Sequence, residues 1–121
     1  MVSKRVLVVD DSPTDRQVAT SLLQKQGYEV TIAVDGEEAL QKIAADRPPL
    51  VLLDIVLPKM NGYQVLRQLK TAPETRDIKV ILVSSKSQEC DRFWGLKQGA
   101  DDYIVKPYPD QTLLAAVARH F

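Results

Sequence analysis

Five short apolar runs, each followed by a stretch of helical spacing, restrict this chain to very few folds. The runs are Arg5–Val9, Glu29–Ala33, Leu50–Leu53, Lys79–Val83 and Asp102–Val105. Three are nearly unbroken Val, Leu and Ile, as strands buried on both faces of a parallel sheet are. Ser12-Pro13-Thr14-Asp15 reads as an N-cap, a proline at the first helical position and an acid placed for a capping box. Val18, Leu22 and Leu23 then recur at helical spacing until Gly27 stops the helix. Asp35-Gly36-Glu37-Glu38 is a second box, followed by Ala39, Leu40, Ile43 and Ala44, with Pro48-Pro49 as a stop. Asn61 caps a third helix carrying Tyr63, Val65, Leu66 and Leu69. Ser85-Lys86-Ser87-Gln88 caps a fourth, closed by Gly99, whose Phe93 and Trp94 are expected in the core with Leu96. A fifth runs from about Pro109 through Leu113, Leu114 and Val117. Strands alternating with helices of this size require an α/β fold: a parallel sheet with helices on both faces and right-handed crossovers. Two strand orders are common for such sheets, and both open their functional loops at the C-terminal strand ends.

The 121 residues suffice for one domain, expected over 1–121. Lys plus Arg balances Asp plus Glu, 16 against 16, so no basic stripe for nucleic acid or anionic membrane is expected. Cys90 is the only cysteine, which excludes an internal disulfide and a cysteine-rich zinc site. His120 is the only histidine and lies next to the C-terminus, which excludes Ser-His-Asp hydrolysis in the body of the fold. The apolar run at Val6–Val9 is too short for a signal-peptide core or a membrane span, so a cytoplasmic location is expected.

The polar residues that break the pattern sit where apolar strands end. Asp10-Asp11 ends the first, Asp54 the third, Ser84-Ser85 the fourth and Lys106-Pro107 the fifth. In a parallel sheet these ends open on one edge. Three crowded carboxylates call for a cation, and few hard oxygen ligands open to water suit Mg²⁺, or Mn²⁺ in its place. Lys106 supplies a point charge for a phosphate oxygen, and Ser84 supplies a donor. An Asp carboxylate can be the nucleophile that forms an acyl phosphate. Asp54 ends the most apolar strand, so it is the best candidate. Each residue also has a plainer reading: turn formers at the acids, a helix cap at Ser85, a solvated lysine. That reading needs four coincidences at four strand ends. Tyr103 stays open between core and surface on its alternation alone.

Val8-Val9-Asp10-Asp11-Ser12, Leu53-Asp54-Ile55 with Pro58 and Gly62, Val83-Ser84-Ser85, and Gly99-Ala100-Asp101-Asp102-Tyr103 through Lys106-Pro107 resemble the receiver domains of bacterial two-component response regulators, the CheY-like family. The resemblance covers essentially the whole chain. It implies the flavodoxin-like (βα)5 fold with strand order 2-1-3-4-5. It makes Asp54 the phosphoacceptor for a histidine kinase or phosphotransfer domain. Asp10 and Asp11 become metal-site acids, with Asp54 and the Val56 carbonyl as further ligands. Ser84 takes the hydroxyl position, Lys106 the phosphate-contacting position and Tyr103 the aromatic switch position. On phosphorylation Ser84 is expected to move toward the new oxygens and Tyr103 to move inward behind it. The Lys106–Pro107 bond becomes a cis candidate. A downstream protein is expected on the face of helix four, strand five and helix five, with Arg92, Tyr103 and the outer side of the 113–121 helix as contacts. The protein is expected as a monomer or weak dimer, without membrane insertion. Asn61-Gly62-Tyr63-Gln64, Trp94-Gly95 and Gln98-Gly99-Ala100 add a finer similarity to PilH-type receivers of type IV pilus twitching-motility systems, hence to motility or chemotaxis. The hydroxyl position carries Ser rather than the frequent Thr. Val56 and Lys86 occupy positions that tend to tune phosphoryl lifetime in the family.

Other functions fit less well. An aspartyl-nucleophile phosphohydrolase of the haloacid-dehalogenase kind wants a second acid two residues after the nucleophile, where this chain has Val56. A receiver-like adaptor that works without phosphorylation would not need the full set of acids, hydroxyl and lysine. A flavodoxin-like electron carrier would have to place a flavin phosphate against Asp10 and Asp11. No DNA-binding segment follows the fifth helix in this sequence, so output is expected through protein contacts.

Overall fold

The computed structural model describes residues 4–85 and 89–121. Strands β1 (Arg5–Val9), β2 (Glu29–Ala33), β3 (Leu50–Asp54), β4 (Lys79–Ser84) and β5 (Asp102–Val105) alternate with five helices. The helices are α1 (Pro13–Lys25), α2 (Gly36–Asp46), α3 (Gly62–Thr71), α4 (Glu89–Lys97) and α5 (Asp110–Arg119). All neighbouring strands pair in parallel, in the order β2-β1-β3-β4-β5. This is the expected flavodoxin-like order. β3 and β4 each run one residue further than the apolar runs, because Asp54 pairs with Val83 and Ser84 with Val105. Polar character therefore does not end the ladder at the edge where the site forms.

The pleat divides the core in two. Leu7, Val9, Val51, Leu53, Val80, Leu82 and Tyr103 pack on one face with residues of α2 and α3. Val6, Val8, Leu50, Leu52, Ile81, Val83 and Ile104 pack on the other with residues of α1 and α5. Since side chains alternate along a strand, Asp54 shares the face of Leu52, while Ser84 shares the face of Leu82 and Tyr103.

The N-terminal ends of the helices follow the sequence signals, with two changes. Ser12 Oγ accepts from Asp15 N at 3.3 Å, Asp35 Oδ1 from Glu38 N at 2.8 Å, and Asn61 and Gln64 form a complete capping box. Glu38 reaches back to Val34 N at 3.0 Å rather than to the cap residue. Asp15 does not close a box, because its carboxylate turns toward Lys106. The cap expected at residues 85–88 lies mostly outside the described residues, as does Lys86. α1 buries Ala19 and Leu23, and Val18 is exposed, contrary to the helical stripe read from the sequence.

α4 is the clearest departure. Phe93 is 66% exposed and Trp94 48%, so neither is in the core as expected. Gly95 faces the sheet instead. A Cβ there would lie 2.8 Å from Leu82 Cδ1 and 3.0 Å from Tyr103 Cδ2. The helix meets the sheet through its backbone, and its large side chains project away.

Candidate functional site

Register builds the site. Val9 pairs with Leu53, so Asp10 and Asp54 follow on adjacent strands. Asp10 N donates to Ala33 O at 3.1 Å and Lys106 N to Ser84 O at 2.8 Å, which extends the backbone ladder to both residues. One oxygen of each buried acid is held by its own loop. Asp10 Oδ1 accepts from Ser12 N at 2.9 Å, and Asp54 Oδ1 accepts from Val56 N at 3.2 Å. The other oxygens converge on one ammonium. Lys106 Nζ lies 2.7 Å from Asp10 Oδ2, 3.0 Å from Asp15 Oδ2 and 3.1 Å from Asp54 Oδ2. Asp10 and Asp54 are buried, and Asp11 is exposed at the rim. Oxygens of Asp10, Asp11 and Asp54 lie within 4.8 Å of one another.

Burial pushes the Asp54 carboxyl above its ordinary pKa; Lys106 opposes the shift and Asp10 adds to it. An ion pair at 3.1 Å would usually lower such a value. Here one ammonium is shared among three acids, and Asp10 contributes repulsion as well as competition. Burial alone would lower the Lys106 pKa, but Asp10, Asp15 and Asp54 outweigh it and raise it overall. The lysine stays charged at any physiological pH. Three carboxylates therefore share one ammonium, with Asp11 close by at the rim, which is the electrostatic setting in which a divalent ion gains most. The donor set, hard oxygens with one acid open to water, fits Mg²⁺.

The fold brings Asp10, Asp11, Asp54 and Lys106 together as the sequence suggested. Val56 is tied to Asp54 through its N–H, while its side chain points to solvent and is 60% exposed. Ser84 is fully buried and contributes a hydrogen bond to Tyr103. Tyr103 is 2% exposed, so its ring lies inward and is not itself a surface contact, which corrects the expectation of Tyr103 as a partner contact. Gly95 leaves the space beside its ring. Lys106–Pro107 is cis.

Two site residues were not legible as such. Asp15 read only as a capping acid. Gly62 read as one of the residues that carry the resemblance, with no structural role assigned, yet a Cβ there would meet Asp54 O at 2.3 Å and Ile55 Cα at 2.7 Å. α3 begins directly against the backbone at the end of β3. Beside the acids, an open groove of about 410 Å³ is lined by Asp15, Val18, Ser85, Lys106, Pro107 and Tyr108.

The family model of the response regulator receiver domain matches residues 6–118. Protein PilH of Pseudomonas aeruginosa is 44% identical over 113 residues, covering 93% of this chain and 93% of that protein. Among solved structures, the chemotaxis protein CheY4 of Vibrio cholerae superposes with a TM-score of 0.91 at 30% identity, over 99% of this chain and 100% of that one. The receiver domain of a Pseudomonas aeruginosa sensor histidine kinase, solved with a magnesium ion in its active-site cleft, superposes with a TM-score of 0.88 at 28% identity, over 98% and 97%.

Proposed function

Because the chain belongs to the response regulator receiver domain family, we propose that it signals by accepting a phosphoryl group on Asp54, with Asp10, Asp11, Asp54 and the Val56 carbonyl holding Mg²⁺. The observation that carries the reading is the convergence of Asp10 and Asp54 on Lys106 at the C-terminal edge of the sheet. The donor is a phosphohistidine of a histidine kinase or phosphotransfer domain, docked over the groove beside Lys106. An Asp54 oxygen attacks phosphorus, a P–O bond forms and the P–N bond breaks. The leaving imidazole nitrogen keeps the electron pair and takes a proton. Lys106 then meets a phosphoryl oxygen, and Ser84 donates to another. The bound metal would supply charge neutralisation at the equatorial oxygens. The protein assists its own modification and demodification, and has no separate substrate to turn over. The similarity to PilH supports a place in pilus motility or chemotaxis. No described helix is long and apolar enough to cross a membrane.

The test is intact-mass spectrometry after incubation with Mg²⁺ and acetyl phosphate. One alkali-labile phosphoryl group per chain is expected. No uptake from acetyl phosphate or from a phosphodonor kinase, or an acid-stable phosphoserine, would overturn the reading.

Asp11 is the exposed ligand, and no ion pair holds it among the described residues. Asp11→Ala should therefore weaken Mg²⁺ binding by roughly tenfold or more, since the site offers few protein oxygens to replace it. Titration calorimetry giving equal affinities would remove Asp11 from the ligand set.

Output passes through Ser84. Its hydroxyl serves Tyr103 at rest, and a phosphoryl oxygen on Asp54 offers it a charged acceptor instead. Tyr103 packs on Gly95 of α4, so a change at Ser84 is passed to the α4–β5–α5 face that meets the downstream protein, where Arg92 is exposed. Ser84→Ala should weaken phosphorylation-dependent partner binding by about tenfold while Asp54 is still modified. Unchanged binding, with Tyr103 resonances unmoved on phosphorylation of the wild type, would exclude this route.

A further inference from the structure

Lys106 has three N–H bonds, and three different carboxylates accept from it. Two of those acids, Asp10 and Asp54, belong to the group that would hold a divalent cation. The third does not. Asp15 reaches the ammonium from the first turn of α1, and its side chain is 45% exposed against 8% for Asp10 and 10% for Asp54. Ammonium and metal thus both draw on Asp10 and Asp54, whose Oδ2 atoms already accept from the lysine. Among the described residues, Asp15 is the one acceptor of Lys106 outside that competition.

We propose that Asp15 is a positioning residue that retains Lys106 at the rim while a divalent cation takes over Asp10 and Asp54, so that lysine and metal occupy one site together. This rests on the receiver reading for the identity of the cation. Without Asp15, the ammonium falls back on Asp10 and Asp54 and resists the metal. With it, Lys106 stays within reach of the acceptor carboxylate without blocking the ligands. Asp15 touches neither the reacting atoms nor the cation and acts only through the lysine.

The experiment is a double-mutant cycle read by calorimetric Mg²⁺ titration of the full chain, with no phosphodonor present. Asp15→Asn keeps the shape and removes the charge. It should weaken Mg²⁺ binding by about tenfold in the wild-type background. In a Lys106→Met background, where no ammonium competes, the same substitution should change affinity by less than about twofold. Asp15→Glu should restore most of the loss. Lys106→Gln replaces Lys106→Met if the latter does not fold. Equal losses in both backgrounds would mean that Asp15 acts on the cation by charge alone, and no loss in either would mean that it does not act; both overturn the proposal while leaving the receiver reading intact. Failure of the wild type to bind millimolar Mg²⁺ would defeat the cation-site reading itself, and the proposal with it.

Discussion

Asp54→Asn is expected to abolish phosphoryl uptake and, at neutral pH, to raise thermal stability. The amide keeps the volume and can still accept from Val56 N, but it lacks the nucleophilic oxygen, so uptake should fall by on the order of 10³-fold or more. The stability gain follows from the pKa. Burial raises the Asp54 carboxyl, with Asp10 adding to the shift and Lys106 only partly offsetting it, so the folded protein disfavours the ionised form. A carboxyl raised in the folded state destabilises once it ionises. Wild type therefore loses stability as pH climbs from the ordinary carboxylate range through the folded value. Asn carries no such charge, and Lys106 keeps Asp10 and Asp15 as partners. The advantage of the variant should grow as pH rises above the ordinary carboxylate range and vanish below it. Melting curves across pH, with intact-mass spectra at neutral pH, check both halves. Phosphoryl uptake at the wild-type rate would move the acceptor elsewhere. A lower Tm at neutral pH would mean that the Lys106 pairing outweighs burial.

Gly62→Ala should give the largest loss of stability among these substitutions. The new methyl would sit 2.3 Å from Asp54 O, 2.7 Å from Ile55 Cα and 3.0 Å from Asp54 C. All three are backbone atoms and cannot rotate aside, so α3 must retreat from β3 and the Gly62 N to Ile55 O bond of 2.8 Å must stretch. A cost of roughly 2–4 kcal/mol is expected, a fall in Tm of roughly 10 °C. Asp54 would move with its backbone, and phosphoryl uptake should slow by up to about 10²-fold, the usual penalty for a displaced reactive group. Gly27 is the control. It has φ +89°, and a methyl added there would meet nothing within 4 Å, so Gly27→Ala costs only backbone strain of about 1 kcal/mol and leaves uptake unchanged. Equal effects of the two substitutions would show that contact with the acceptor strand is not what Gly62 provides.

The strands and the acids were legible because their signals are local. An apolar run ends, an acid follows, and in a parallel sheet such ends meet. Asp54 and Lys106 lie 52 positions apart, yet the pairing of β3 with β4 and β4 with β5 brings them within 3.1 Å. What stayed hidden depends on direction within an element. Asp15 sits where a capping acid would, and only the folded chain brings it to Lys106, 91 positions away. Phe93 and Trp94 look like core residues by type. Gly95, the least conspicuous residue of α4, decides instead which side of the helix meets the sheet. Tyr103 had no assignable side by alternation alone, and its burial depends on the gap that Gly95 leaves.

The pleat that divides the core also separates the two halves of the site. Asp54 belongs to the layer of α1 and α5, and Ser84, on the adjacent strand, to the layer of α2, α3 and α4. In the reading proposed above, a charge placed on Asp54 would reach the far layer over the rim of the sheet, through Ser84 on the adjacent strand and the buried Tyr103 ring behind it. Most of the interior takes no part in that route, but Ser84, Tyr103 and Gly95 are buried, so along this one line a substitution that alters packing would alter the signal with it.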